Sequence, residues 1–167
     1  MAMPWFERNL KFDYPKEMLP FFLERLEGTI VRIEQKVNGI DDKILSQKLN
    51  GKWSIKENIG HLAEVDQVAN KRIDEMINGT QVMSLAVFEP QDYSIWPIAK
   101  VIDFFKKNRL SNIKKYNAIR EDDLLKSSQH PRLKVMMTPV DLAWFDAEHD
   151  DHHLVKINEI LLLTVRK

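Results

Sequence analysis

The sequence predicts an all-α protein, a four-helix bundle with long connecting loops. Four stretches of the 167 residues carry apolar side chains at three- and four-residue intervals, which is the spacing of a helix with one buried face. Turn residues separate these stretches, and no hairpin turn joins two alternating strands. The length suits one domain with one core. We therefore expect residues 1–167 to form a single domain of four packed helices.

The first two helices are each expected to end at an Asn-Gly pair. The first covers about residues 16–37, and its apolar side chains recur along one face. The second begins at a capping box, because Ser54 can cap the helix and Glu57, three residues on, can reach back to it. It continues to the Asn-Gly pair at 78–79. Both ends follow from ordinary helix-stop chemistry.

Proline marks the beginning of the other two helices. The third is expected over about residues 94–118, with Pro97 tolerated in its first turn. The fourth has Thr138 as cap, Pro139 at the first helical position and Asp141 near the positive end of the dipole. It runs nearly to the C-terminus. The connections are long enough for at least one crossover, so the topology stays open.

Composition excludes several classes of function. The 25 Lys and Arg residues balance 25 Asp and Glu residues, so no net charge attracts nucleic acid or an anionic membrane. The absence of cysteine excludes disulfides, thiolate nucleophiles and iron–sulfur clusters. The longest apolar run, 160–165, is too short to cross a bilayer, and the first residues lack a signal-peptide layout. We expect a cytoplasmic protein with neither nucleic-acid nor membrane partners, which can hold a metal only through His, Asp or Glu.

The segment EHDDHH, residues 148–153, contains three of the five histidines. At about 100° per residue, His149 and His153 lie in the middle of the apolar stripe of the fourth helix. The other polar members lie on the flank or in solvent: Asp150, Asp151 and His152. Two inward imidazoles one turn apart can share one ion. They can equally be core histidines that are hydrogen-bonded to neighbouring helices, and the spacing alone leaves both interpretations open.

A third histidine favours the metal interpretation. His61 lies on the second helix, at the edge of its apolar stripe, where a lone histidine is usually an ordinary boundary residue. Together with the inward pair on a packed neighbouring helix, it would complete a set of three nitrogens. Such a set leaves coordination positions for water or substrate, which is typical of a catalytic metal site.

Two carboxylates are candidates to support the histidines from behind. Glu64 is close to one turn beyond His61 and either orients that ring or faces water. Asp146 is about one turn before His149 on the same inward side. An inward carboxylate needs a partner, so Asp146 is the better candidate.

The remaining histidines and aromatic residues have less specific roles. His152 has a spacing that could make it an alternative ligand, although its angle argues against this, and His130 precedes Pro131 in a loop and is expected at the surface. Four aromatic side chains could line an apolar pocket over an ion or simply fill the core: Trp53, Trp96, Trp144 and Phe145.

Two segments resemble a known family. KWSIKENIGHLAEVD (52–66) and HPRLKVMMTPVDLAWFDAEHDDHH (130–153), with the helix order, resemble the DinB-like superfamily, which includes YfiT-like metal-dependent hydrolases and thiol-dependent transferases. The most specific element is W-S-x-x-E-x-x-x-H on one helix with H-x-x-H-H on the last. The resemblance implies a four-helix bundle, often a homodimer, with a zinc or nickel ion held by His61, His149 and His153. Some members attach low-molecular-weight thiols to electrophiles.

The sequence thus predicts a divalent-metal-dependent enzyme. The ion would activate a water or an external low-molecular-weight thiol, for hydrolysis or for thiol transfer to a small electrophilic substrate. Transfer would need a soluble thiol, because the chain has no cysteine. The alternatives are a non-catalytic metal-binding or interaction module of the same fold, and a metal-free bundle with a polar core. Motifs for ferritin-like di-iron sites, H-E-x-x-H proteases and Ser-His-Asp hydrolases are absent.

Overall fold

The structure is a computed structural model, and it describes residues 3–164. The helices are α1 Leu19–Val37, α2 Asp42–Ser46, α3 Ile55–Ile77, α4 Ile98–Asn117 and α5 Pro139–Thr164. Short 3-10 turns cover Trp5–Glu7, Lys16–Met18, Tyr93–Ile95 and Glu121–Leu125. Two short antiparallel strands are β1 Ser128–Gln129 and β2 Met136–Met137. The prediction of an all-α four-helix bundle is confirmed, with α1, α3, α4 and α5 as its long helices.

Helix α3 begins where the sequence predicts, whereas helix α4 begins later than predicted. The capping box of Ser54 and Glu57 is present at α3. The third long helix begins later than expected, at Ile98, because Pro97 is its N-cap and has an extended backbone. A residue before proline is disfavoured in the helical region, so Trp96 is extended too and the turn around Ser94 stays separate.

The apolar core shows which way each long helix runs. One cluster of buried side chains combines the first halves of α1 and α5 with the second halves of α3 and α4, for example Leu19 and Leu142 with Ile73 and Tyr116. A second cluster combines the opposite halves. Helices α1 and α5 therefore run in one direction, and α3 and α4 in the other. Because α3 and α4 run in the same direction, the connection at 78–97 must return along the length of the bundle. The sequence allowed at least one such crossover connection.

A buried polar layer lies between the two apolar clusters. Arg109 on α4 is 1% exposed and forms a bidentate pair with Asp150, with distances of 2.5 and 2.9 Å. Its Nε donates to Asp66 at 3.0 Å, and its Nη1 donates to the carbonyl of Leu26 at 2.7 Å. Asn112 donates to Asp66 as well. This layer joins α1, α3, α4 and α5.

The burial of Asp150 corrects the sequence prediction, which placed it on the flank or in solvent. The apolar side chains of α5 alone set the predicted stripe. A carboxylate beside that stripe becomes part of the core because α4 supplies a guanidinium opposite it, which satisfies the buried charge.

The crossover connection is attached to the short hairpin. The N–H of Met83 donates to the carbonyl of Gln129, and the N–H of Gln129 donates to the carbonyl of Gln81. The crossover segment thus lies beside β1 as a third extended segment. This pairing places the residues after Met83 and the tip of the hairpin on the same side of the bundle. Within residues 3–164, no helix combines the length and apolar content that crossing a membrane requires.

Candidate metal centre

The structure brings His61, His149 and His153 together. One ring nitrogen from each lies within 4.8 Å of the others. The Nε2 atoms of His149 and His153 are 3.2 Å apart. Two nitrogens that share a tetrahedral zinc ion at about 2.0–2.1 Å stand about 3.3 Å apart, so the α5 pair has the spacing that one ion needs.

Burial keeps the two α5 histidines neutral. Burial, with smaller contributions from the neighbouring His61 and His152 rings, lowers the pKa of His149 to about 3. The pKa of His153 lies well below its ordinary value for the same reasons. A neutral imidazole has a free lone pair, which is the form that binds a metal. These rings are therefore available as ligands at neutral pH.

Asn58 fixes the orientation of the His153 ring. It is buried on α3, and its Nδ2 donates to the carbonyl of Ser54 at 2.7 Å. Its Oδ1 is therefore the acceptor that faces Nδ1 of His153 at 2.8 Å. Nδ1 of His153 carries the proton, and the lone pair on Nε2 faces the other histidines. Asn58 is not among the site residues predicted from the sequence, although its position three residues before His61 puts both on one helix face.

Glu64 lies beside His61 on the same helix. Its Oε2 is 3.4 Å from Nδ1 of His61, and its Oε1 accepts a hydrogen bond from the hydroxyl of Tyr93 at 2.7 Å. Burial and Glu64 together raise the pKa of Tyr93, so the phenol keeps its proton and donates to the carboxylate. The Tyr93 ring packs directly against Gly60.

Asp146 is buried and lines the same cavity as the histidines. Its Oδ2 makes no hydrogen bond to the described residues, and neither does Nδ1 of His149. Burial raises the pKa of Asp146 well above its ordinary value. The two unsatisfied groups are on the same side of α5, but no direct bond joins them.

A cavity of about 540 Å³ opens beside the three histidines, within the size range of small-molecule sites. Trp53 is 47% exposed, and its ring centroid is 4.8 Å from that of His61 and 6.0 Å from that of His153. Phe145 lines the cavity too. By contrast, Trp144 packs in the first apolar cluster and Trp96 packs against the second. The four aromatic residues thus divide between the two roles that the sequence left open.

Comparisons with known proteins identify the family. The family model described as the DinB superfamily matches residues 25–157. The chain belongs to the DinB superfamily. A solved structure of YfiT from Bacillus subtilis, described as a probable metal-dependent hydrolase with an unusual four-helix bundle topology, is similar at a TM-score of 0.79 and 16% identity, over 92% of this chain and 91% of that one.

A second solved structure is the mycothiol-dependent maleylpyruvate isomerase. It is similar at a TM-score of 0.68 and 13% identity, over 91% of this chain and 68% of that chain. At these identities the two structures establish the fold that this DinB-superfamily protein shares with them. No curated protein sequence matched the chain.

Arginines bind the carboxylates at the edge of the EHDDHH segment in this DinB-superfamily protein. Glu148 pairs with Arg8 and, at 2.8 Å, with Arg25. Asp151 pairs with Arg25 at 2.6 Å and with Arg32 at 2.8 Å. These contacts tie α5 to α1 and to the N-terminal segment. They hold the helix that carries two of the three histidines. Glu148 and Asp151 each have arginine partners, so neither carboxylate needs a metal ion to balance its charge.

The other two histidines, His152 and His130, also line the cavity. His152 lines the cavity, where it lies beside Trp5, but it is not part of the three-histidine group. His130 was expected at the surface, which is wrong, because it is only 6% exposed. Its Nδ1 accepts the backbone N–H groups of Arg132 and Leu133 at 3.2 and 3.1 Å. The turn after it needs an acceptor for these amides, and the ring folds inward to provide one.

Proposed function

We propose that this protein is an enzyme that uses one divalent metal ion held by His61, His149 and His153. The observation that carries the proposal is the convergence of three ring nitrogens within 4.8 Å at the wall of a cavity. The 3.2 Å separation of the two α5 nitrogens fits a shared ion. The donor set, three imidazoles with no thiolate, suits zinc or nickel.

The protein side chains would orient the ligands and limit access to the ion. Asn58 holds His153 with its Nε2 lone pair inward, and Glu64 lies behind His61. Trp53 and Phe88 pack against His61 and narrow the approach from solvent. When bound, the ion would lower the pKa of a water molecule or an external thiol and so supply a nucleophile near neutral pH.

The reaction we propose is hydrolysis, or the transfer of an external low-molecular-weight thiol, on a small electrophilic substrate. One structural neighbour is described as a probable metal-dependent hydrolase and the other as mycothiol-dependent. This chain has no cysteine, so any thiol must enter as a small molecule. The cavity of about 540 Å³ has room for a small substrate beside the histidines.

The metal content of tag-free protein, measured by mass spectrometry, tests the proposal. We expect about one ion per chain in the wild type and none in a His149→Ala, His153→Ala double variant. His152→Ala is the matched control, because it removes a histidine of the same segment that lies outside the group of three, and it should keep the ion. A wild type that takes up neither zinc nor nickel would overturn the proposal.

Turnover then separates an enzyme from the non-catalytic module. Screens for hydrolysis and thiol transfer should detect activity that follows metal content across the three proteins. Metal that only raises the melting temperature, with no turnover in either screen, would favour the module. Sedimentation equilibrium tests the homodimer that the family resemblance implies.

A further inference from the structure

A buried arginine that the proposed metal chemistry does not use lines the cavity. Arg72 lies on α3, is 7% exposed and shares the cavity wall with the three histidines. A buried guanidinium is normally paired with a carboxylate, since burial of an unpaired charge is costly. Within residues 3–164 no carboxylate forms an ion pair with Arg72, in contrast to buried Arg109. Arg72 therefore has no direct carboxylate partner, and Asp146 and Glu75 favour its charge only from beyond ion-pair distance.

The hydrogen bonds of Arg72 are also incomplete. Its Nη2 donates to the carbonyl of Ser84 over a long 3.4 Å. Its Nη1 lies 3.2 Å from Nε2 of His130. Its Nε is buried and has no acceptor among the described residues. One edge of the guanidinium thus has donors without good acceptors.

His130 adds a donor rather than an acceptor. Its Nδ1 already accepts two backbone N–H groups, from Arg132 and Leu133. A neutral imidazole has one N–H, so in this ring the proton is on Nε2. Burial, Arg72 and Arg132 lower the pKa of His130 to about 4, which keeps the ring neutral near pH 7. Two donors, Nε2 of His130 and Nη1 of Arg72, therefore face each other, and an acceptor is missing between or beside them.

The rest of the cavity suggests what would supply that acceptor. Two arginines, Arg72 and Arg132, line the cavity, and Asp146 is its acidic lining residue. Asp146 does not pair with Arg72, and its Oδ2 makes no hydrogen bond within the described residues. Much of the remaining wall is aromatic and apolar, including Trp5 and Phe145. The cavity suits a molecule with an apolar body and one anionic group.

We propose that Arg72 and His130 form a carboxylate-binding subsite for the substrate of the proposed metalloenzyme. The inference rests on the proposed function only in taking the occupant of the cavity to be a reactant. The edge of the planar guanidinium and one imidazole N–H match the two oxygens of a carboxylate. The carboxylate belongs either to the electrophile or to the external thiol, and both sources would place it beside the histidines.

Calorimetric titration of metal-free protein with 3-phenylpropanoate and its neutral amide tests the subsite. The metal is first removed with a chelator, because the carboxylate of the probe could otherwise bind the ion instead of Arg72. We expect wild type to bind the acid at least about tenfold more tightly than the amide. Arg72→Met should abolish that preference, and Arg72→Lys should keep part of it. Lys107→Met, which removes an exposed charge of α4 that does not line the cavity, should bind both probes as wild type does.

Equal binding of acid and amide by wild type would overturn the subsite, and this comparison needs no variant to fold. Retention of the preference by folded Arg72→Met would overturn it too. Failure of the metal proposal is separate, since the titrations use metal-free protein. Arg72→Met should also load the same amount of metal as wild type when the metal site is sound.

Metal-loaded protein then identifies the source of the carboxylate. If the thiol carries it, 3-mercaptopropanoate should bind more tightly than 3-mercaptopropanamide, and it should compete with 3-phenylpropanoate. If the electrophile carries it, 2-mercaptoethanol and 3-phenylpropanoate should bind together. In the first case Arg72→Met should remove the preference for 3-mercaptopropanoate, and in the second it should remove the binding of 3-phenylpropanoate. The same binding in Arg72→Met as in wild type would contradict the subsite.

Discussion

The side-chain oxygen of Asn58 lies 2.8 Å from Nδ1 of His153, across the contact between α3 and α5. The amide cannot rotate freely, because its nitrogen donates to the carbonyl of Ser54. The donor and acceptor roles of both side chains are thereby fixed. This single contact determines which nitrogen of His153 can bind an ion.

Replacing Asn58 should weaken metal binding without removing the site. Asn58→Ala leaves all three histidines but frees the His153 ring to rotate, and loss of such a partner typically costs about 10- to 100-fold in metal affinity. Competition with a chromogenic chelator measures the change. Asn70→Ala is the matched control, since Asn70 makes the same side-chain bond to the backbone four residues back on the same helix. Equal affinities for wild type and Asn58→Ala would contradict this role.

Gly60 should be intolerant of even one methyl group. A Cβ atom there would meet Cε1 of Tyr93 at 2.5 Å, and that buried ring also holds Glu64 behind His61. We expect Gly60→Ala to lower the free energy of unfolding by about 1–3 kcal/mol, measured by urea denaturation. The gain in helix propensity, about 1 kcal/mol, would be outweighed.

Gly28→Ala is the control for Gly60→Ala. Gly28 lies in α1, and a Cβ atom there would meet nothing within 4 Å. The substitution should therefore stabilise the protein by about 0.5–1 kcal/mol. In a Tyr93→Leu background, Gly60→Ala should cost less, because the clashing ring is gone. An equal cost in both backgrounds would mean that the ring contact is not the cause.

Arg109 should be among the most sensitive positions for stability. Arg109→Met would leave Asp66 and Asp150 buried without their counter-charge, and breaking a buried pair in this way costs about 3–5 kcal/mol. Lys107→Met, on the exposed side of the same helix, should change stability by no more than about 0.5 kcal/mol. Adding Asp66→Asn and Asp150→Asn to Arg109→Met should recover part of the loss. No recovery would show that packing, not charge, dominates.

The sequence predicted the long helices because their apolar residues repeat over several turns. It did not predict α2 or the two strands, since five and two residues are too short to show a period. The inward positions of His149 and His153 followed from the same repeat. The burial of Asp150 did not, because it depends on Arg109, which is 41 residues away along the chain. The buried ring of His130 depends on the turn that follows it, which no spacing rule describes.

His130 should contribute to acid sensitivity. Its pKa in the folded protein is about 4, below the ordinary value of 6.5, because burial and two arginines disfavour the charged ring. The unfolded chain therefore binds a proton at a higher pH than the folded chain does. Stability from this group is complete above about pH 6.5 and is lost as the pH falls toward 4.

Measurements of unfolding free energy from pH 7 to pH 4, on metal-free wild type and His130→Gln, test this contribution. Glutamine can still accept the turn amides through its side-chain oxygen, but it does not titrate. The decline in stability between pH 6.5 and 4 should be smaller in the variant by about 1–3 kcal/mol. The other histidines with lowered pKa values, His149, His152 and His153, are present in both proteins, so the difference between the two curves isolates His130. Parallel curves would mean that the ring is as easily protonated in the folded protein as in the unfolded chain, and that His130 does not contribute to acid sensitivity.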